Sequence, residues 1–259
     1  MGEAQVRYEV LAGQAVLTID REKARNALSP QVIAELSEAI TRAEGDPAVR
    51  VLVLTGAGQK VFCAGGDLTG MKGDGFLAGH EGRRAFGALL TRLSACRKPS
   101  VAQVNGHALA GGLGLMLSCD LAVAVEHAQF GTPEIDVGLF PMMVMALLQR
   151  HVGRKRALQL VMTGERLSSQ TALEWGLVNQ VVPAADLSSA VGVLAEKLAG
   201  KSQTVLALGR QAFFAAEDLP FPQAIELLAS QLSLNLYTED ASEGVTAFLE
   251  KRKPKWRDR

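Results

Sequence analysis

The sequence predicts an α/β fold whose carboxyl-terminal portion is helical. Three observations predict it. Strand-like and helix-like segments alternate through the first half of the chain. Two of the strand-like segments, VRVLVLT at 49–55 and LAVAV at 121–125, are near-continuous apolar runs, as in strands covered on both faces. Beyond Pro141 almost every periodic segment is helical.

The elements follow in order. Short alternating runs at 7–11 and 15–20 flank Ala12-Gly13-Gln14 and predict a β-hairpin. Ser29-Pro30 opens a helix on which Ile33, Leu36, Ile40 and Ala43 recur at helical spacing. After the 49–55 strand, glycine-rich sequence runs from 56 to 79, interrupted by Val61-Phe62-Cys63. Residues 84–95 read as a helix, 100–104 as a strand, 113–118 as a short helix and 121–125 as a strand. In the second half 142–162, 169–175, 187–199, 202–217, 222–236 and 240–251 read as helices, and only 178–182 as a strand. The last two helices carry apolar faces (Ile225, Leu228, Leu232, Leu236; Val245, Phe248, Leu249) that must be covered, either by the chain's own core or by a second subunit.

Composition narrows the function. The chain has 259 residues, 48% of them hydrophobic, enough for a sizeable core within one domain. Lys plus Arg and Asp plus Glu are 27 each, so the basic excess of a nucleic-acid or membrane-surface binder is missing. Cys63, Cys96 and Cys119 are odd in number and lack close spacing, which reads as reduced thiols of a cytoplasmic chain rather than a disulfide or zinc framework. The first ten residues show no signal peptide or anchor. Met1-Gly2 is not followed by Ser or Thr at position six, where Val6 stands, so a myristoylation start is not expected.

Three motifs compete for chemistry. Gly56-Ala57-Gly58 follows a strand but lacks the third glycine, the following helix and the distant acid of a dinucleotide fingerprint. The segments Phe62-Cys63-Ala64-Gly65-Gly66-Asp67-Leu68 and Asn105-Gly106-His107-Ala108-Leu109-Ala110-Gly111-Gly112-Leu113-Gly114 each place small residues directly after a strand, and the second leads into a helix. Unpaired backbone N–H groups at two such places, converging on one oxygen, make an oxyanion hole. Taken singly, either cluster is as well read as an ordinary glycine turn. In Phe130-Gly131-Thr132-Pro133-Glu134-Ile135-Asp136-Val137-Gly138-Leu139-Phe140-Pro141 one carboxylate, Glu134, stands among apolar residues, which would raise its pKa toward proton transfer at carbon. The alternative for Glu134 is a surface loop position; Asp136 reads as solvent-facing.

In this order and separation the three motifs resemble the enoyl-CoA hydratase/isomerase (crotonase) superfamily. The likeness runs from Arg25-Asn26-Ala27-Leu28 through Thr163-Gly164-Glu165-Arg166-Leu167-Ser168 and Ala172-Leu173-Glu174-Trp175-Gly176-Leu177-Val178-Asn179 to Phe248-Leu249-Glu250-Lys251-Arg252-Lys253-Pro254. The resemblance implies a crotonase-like spiral of ββα repeats over residues 1–200, holding the CoA and active sites. It implies a helical region over 201–259 that completes a homotrimer or a dimer of trimers. It places the thioester oxygen on the Gly66 and Gly111 N–H groups, the adenine of CoA along Ala64 to Leu68 (Asp67 included) and Thr69 beyond it. Lys23 or Arg25, and Lys251 beside Phe248, are candidates to meet CoA phosphates; their rival reading is plain solvation. No metal or separate cofactor is implied, coenzyme A being part of the substrate, and neither a nucleic-acid nor a membrane partner.

Two departures matter. Family hydratases pair two glutamates across a catalytic water; the second falls on Glu134 and the first on Gly114, which offers no side chain. After Pro141, where small residues are usual, the run is Met142-Met143-Val144-Met145, which makes a dry acyl pocket lined by Met142 if those side chains face it, and changes nothing if they face the core. The expected activity is therefore double-bond isomerisation or hydration of an enoyl-CoA with one glutamate. Thioester hydrolysis, decarboxylation, dehalogenation and silent acyl-CoA binding are the alternatives. Restoring an acid at Gly114 is expected to raise hydration. The glycines at 70, 73, 75, 79 and 82 make that segment a candidate gate over the acyl pocket.

Overall fold

A computed structural model describes residues 3–67 and 75–259. Strands β1 (Val6–Leu11) and β2 (Gln14–Ile19) form the expected antiparallel hairpin, with Leu11 opposite Gln14. Its two turn residues, Ala12 and Gly13, both have positive φ (49° and 79°), the geometry that matches the strands' twist. Helix α1 (Pro30–Gly45) starts where the sequence places it: the Ser29 side chain accepts from the Val32 N–H, and the proline needs no acceptor there. Its buried face is Val32, Ile33, Leu36, Ala39, Ile40 and Ala43.

From there the chain repeats one unit. Strand β3 (Val51–Gly56) is followed by the short β4 (Val61–Cys63) and helix α2 (Gly75–Ala95). Then come β5 (Ser100–Val104), β6 (His107–Leu109) and α3 (Gly111–Leu117). The third turn is β7 (Leu121–Val125), β8 (Gln129–Gly131), a 3-10 turn (Pro133–Val137) and helix α4 (Met142–Thr163). Strand β9 (Arg166–Ser168), helix α5 (Ser169–Glu174) and strand β10 (Gln180–Val182) close the sheets. Helices α6 (Leu187–Ala199), α7 (Gln203–Ala216), α8 (Phe221–Leu236) and α9 (Glu239–Leu249) finish the chain.

Each ββα turn contributes one strand to each of two sheets. The larger has six strands in the order β1-β2-β3-β5-β7-β10, parallel beyond the hairpin, and the smaller has four in the order β4-β6-β8-β9. This is the crotonase-like spiral. Every residue of β3 is buried, as its unbroken apolar run requires, and all seven residues of α3 lie inside.

Four points of the sequence reading change. The second strand of each repeat is only three residues long, too short to show a period, so the small sheet is not apparent in the sequence. Helix α2 begins at Gly75 rather than 84, running through Gly79 and Gly82 despite their poor helix propensity. Of the proposed 70–82 gate, 70–74 lie outside the described residues, and 75–82 are the exposed first turns of α2. The expected 142–162 helix is broken at Gly153 (φ 72°, ψ 170°), a backbone conformation open to glycine.

The final helices settle one alternative. Ile225, Leu228, Leu232, Leu236, Val245, Phe248 and Leu249 are all exposed, and α8 has no buried residue. The chain's own core does not cover them. Among the described residues no helix is long and apolar enough to cross a membrane.

Candidate active site

Three loops leave the carboxyl ends of β4, β6 and β8 side by side. The strands are parallel there, with Cys63 opposite Ala108 and Leu109 opposite Gly131. The carboxyl edge of a parallel sheet is where ligands settle in α/β proteins. The loops carry Gly66, Gly111 and Glu134 respectively, and the Ala110 N–H donates to the Gly131 carbonyl at 2.9 Å, joining the second loop to the third.

The first two loops touch. A Cβ on Gly65 would lie 2.5 Å from the Ala110 Cβ and 3.0 Å from the Gly111 nitrogen, and Gly65 sits at φ +94°. Both space and backbone demand glycine there. Ala110 itself is held at φ 53°, ψ −131°, a strained conformation for a residue with a side chain, costing on the order of 1–3 kcal/mol. That turn starts α3 at Gly111, whose N–H has no intrahelical acceptor. Among the described residues neither the Gly66 nor the Gly111 N–H donates to a protein acceptor. Leu28 and Phe86 floor the second position: a Cβ on Gly111 would meet Phe86 Cζ at 3.2 Å and Leu28 Cδ1 at 3.4 Å.

Glu134 stands in the 3-10 turn that continues β8. Its carbonyl accepts from the Leu139 N–H at 3.0 Å, and Gly138 (φ 78°) reverses the chain. Its Oε2 is buried and has no hydrogen-bond partner among the described residues. Burial pushes the carboxyl above the ordinary glutamate range, only partly offset by a backbone hydrogen bond. A desolvated carboxylate lacking a donor is poised to take a proton. Asp136 is exposed and points away, toward Gly164.

Gly114 lies one helical turn beyond Gly111, on the same face of α3. A Cβ there would stand 3.0 Å from Val144 Cγ2 and 3.8 Å from Leu90 Cδ1. The room an acidic side chain would need is thus occupied by α4. Of the methionine-rich run, Met142 and Met145 are exposed, 62% and 37%, so Met142 does not line the buried wall. Val144, 3% exposed, does that, and Met143 packs with its sulfur 3.5 Å from where a Gly87 side chain would begin.

The remaining candidates are placed as follows. The Ala64 N–H donates to the Arg25 carbonyl at 3.1 Å, so the 64–67 loop lies along the 25–28 loop. Lys23 and Arg25 are exposed beside it, their side chains in no hydrogen bond or ion pair among the described residues. Asp67 is ion-paired to Arg21 at 2.9 Å. Leu68 and Thr69 lie outside the described residues. Phe248 and Lys251 are exposed at the end of α9, which packs on α7 and α8; no hydrogen bond ties their side chains to the three loops. Sequence reasoning passes over Phe86 and Arg21, and names Val144 only as part of the methionine run. Phe86 has no motif, and Arg21 stands just outside the family-like Arg25-Asn26-Ala27-Leu28. The three cysteines are free and buried, and burial pushes Cys63 and Cys96 up to about 12, which keeps them as unreactive thiols.

Comparison with known proteins gives this geometry a context. The family described as enoyl-CoA hydratase/isomerase matches residues 9–259. A crotonyl-CoA hydratase of Syntrophomonas wolfei is 38% identical over 244 residues, 92% of each chain. A carnitinyl-CoA dehydratase of Proteus mirabilis is 34% identical over 248 residues, 94% of each. The crystal structure of an enoyl-CoA hydratase from Bacillus anthracis superposes with a TM-score of 0.94 at 30% identity, covering 98% of this chain and all of that one.

The contact between the first two loops is testable. Gly65→Ala sets a methyl against Ala110 and strains φ. It should lower stability by about 1–3 kcal/mol in thermal or denaturant unfolding and turnover by roughly 10²-fold through displaced amides. Adding Ala110→Gly should return part of the stability. Full stability and turnover in Gly65→Ala would mean the two loops do not meet.

Proposed function

The chain belongs to the enoyl-CoA hydratase/isomerase family and is an enzyme of that family; on that footing we propose that it works with one catalytic carboxylate, Glu134, on an enoyl-CoA whose thioester oxygen rests on the Gly66 and Gly111 N–H groups. The observation that carries the reading is the contrast across the site. Glu134 has a buried, unpartnered oxygen, while the Gly114 wall is filled by Val144 and Leu90. That contrast favours isomerisation. Glu134 takes a proton from C2 of a 3-enoyl-CoA, the electron pair moves onto the thioester oxygen, and the two amides bear the charge. The protonated Glu134 then returns the proton at C4 as the pair flows back, giving the 2-enoyl-CoA. Atoms and charge balance within the substrate and one side chain, and no cofactor is required beyond the substrate's own coenzyme A.

Hydration is the second reading, favoured by two of the relatives, a crotonyl-CoA hydratase and an enoyl-CoA hydratase. Here water would add across a 2-enoyl-CoA with Glu134 as the only side-chain acid or base. Lys23, Arg25 and Lys251 serve on either reading as cations for CoA phosphates, with Ala64 to Thr69 along the adenine and Phe248 near it. The exposed faces of α8 and α9 are covered by further copies in a homotrimer or dimer of trimers, with 201–259 as the assembling region, in the cytoplasm. Exposed apolar patches of this extent mark association surfaces.

Glu134→Gln should fold, keep its affinity for CoA and lose about 10²–10⁴ in kcat; undiminished turnover would remove the proposed acid/base. In the parent enzyme the acid limb of kcat/KM should fall above the pH expected of an exposed glutamate, since burial raises this carboxyl. A raised folded-state value favours the protonated form. Its stabilising contribution is present at acid pH and lost as pH rises through that value. Glu134→Gln should therefore melt above the parent at neutral pH, the gap closing on acidification.

Gly114→Glu alone, contrary to the sequence expectation, should destabilise the fold without raising hydration, because Val144 stands in the way. Gly114→Glu with Val144→Gly should hydrate a 2-enoyl-CoA faster than the parent, followed by loss of enoyl absorbance. A gain from Gly114→Glu alone would show that Val144 does not limit the wall.

A further inference from the structure

The 64–67 loop that carries Gly66 is not held by a sheet. It is laid on another loop, 25–28, through Ala64 N–H to Arg25 carbonyl (3.1 Å), Leu28 N–H to Gly65 carbonyl (2.8 Å) and Asp67 N–H to Leu28 carbonyl (3.1 Å), with Leu28 bridged to Gly66. The supporting loop is itself an unstable base. Arg25 and Asn26 are consecutive left-handed residues, φ 54° and 53°, a conformation that is costly for the arginine and readily adopted by the asparagine. Asn26, 1% exposed, is held by its own side chain. Its Nδ2 donates to the Ala57 and Val61 carbonyls at 2.9 and 2.7 Å, and its Oδ1 accepts from the Arg21 N–H at 3.1 Å.

One side chain spans both loops. The Arg21 guanidinium donates through Nη1 to the Ala27 carbonyl at 2.7 Å and through Nη2 to Asp67 Oδ2 at 2.9 Å. Arg21 and Asp67 are largely buried, their side chains 19% and 16% exposed, so water and salt screen the pair less than a surface pair. We propose that Arg21 is a positioning residue for catalysis: its two-pronged tie between Ala27 and Asp67 sets where the Gly66 N–H points, and so sets how strongly the thioester oxygen is polarised. The inference rests on the proposed role of Gly66 in binding that oxygen.

The chemistry needs arginine. Two donors at a fixed angle serve a backbone carbonyl and a carboxylate at once. A lysine ammonium offers a point charge on a flexible stem and cannot keep both bonds with the same geometry. A fixed guanidinium matters because an oxyanion donor acts over tenths of an ångström, and a displacement of about 1 Å can cost 10²-fold in rate. Its effect falls on charge that develops in the transition state, so kcat should move and KM should not follow it.

The test uses the whole enzyme with crotonyl-CoA and its 3-enoyl isomer, and two readouts. One is the kcat and KM of Arg21→Gln, Arg21→Lys and Asp67→Asn. The other is the thioester carbonyl stretch of bound ligand by difference infrared spectroscopy, which reports polarisation directly. The parent should lower the bound carbonyl frequency. Arg21→Gln and Arg21→Lys should both give back part of that lowering and lose about 10- to 10²-fold in kcat with KM little changed. Combining Arg21→Gln with Asp67→Asn should cost no more than the worse single change, as expected of partners. Should Arg21→Gln not fold, Asp67→Asn, which preserves shape, carries the same two readouts. An unaltered carbonyl shift and kcat in the folded variants would overturn the role of Arg21. Absence of any carbonyl shift in the parent would instead overturn the reading of Gly66 and Gly111.

Discussion

Two loops must approach until a glycine of one touches the backbone of the other, leaving the N–H of the buried Gly111 and that of the exposed Gly66 without a protein acceptor among the described residues, and the architecture around the site answers to that constraint. An unpaired amide is costly where it is buried, as at Gly111, and folded chains keep few of that kind. Here one lies at the first residue of α3, where a helix cannot satisfy it. The other lies in a loop supported through neighbouring amides and carbonyls rather than its own. The spiral makes the pairing possible. Because β4, β6 and β8 are parallel, their exits fall on one edge, and segments over forty residues apart in sequence arrive in van der Waals contact. Strain at Ala110 and the bare Cα of Gly65 are what that approach costs locally.

Much of this was readable beforehand because the long elements carry period and the motif residues carry order. The β3 run, the Ser29 cap of α1, and strands β5 and β7 could be assigned from pattern alone. The small sheet could not, since three-residue strands have no period, and it is this sheet that aligns the site. The glycine-rich stretch before α2 misled in the opposite way. Residues that discourage a helix were carried into one by the buried Phe86, Leu89, Leu90 and Leu93 that follow. Met142 was named for its place in a run, but the phase of α4 turns Val144 inward instead. That phase depends on where the helix starts after Pro141, a detail local pattern does not set.

The site residues divide along the same line. Gly66, Gly111 and Glu134 sit in motifs whose order and separation resemble the family's, so they could be named as candidates without tertiary knowledge. Phe86, Leu90, Val144 and Arg21 matter through what they touch across 20 or more residues; nothing next to Phe86, Leu90 or Arg21 in sequence marks them, and the run around Val144 draws the eye to its methionines instead. Arg21 is the sharpest case. It ends the first hairpin, and only the folded chain shows its guanidinium reaching Asp67, 46 residues on.

The balance between the two readings of the activity turns on polar groups and on the space left for water. A water held in a protein interior needs about two to four polar partners. Around Gly114 the wall is Val144 and Leu90, and around Gly111 it is Phe86 and Leu28, and none of these side chains offers a hydrogen bond. A lone carboxylate can orient one hydrogen of a water but leaves the attacking lone pair unaimed. On the proposed reading the same carboxylate would need no second partner to carry a proton between two carbons of a substrate whose oxygen rests on the amides. A glycine at position 114 and a valine at 144 are therefore one feature: the first withdraws the polar group, and the second closes the space in which water would replace it.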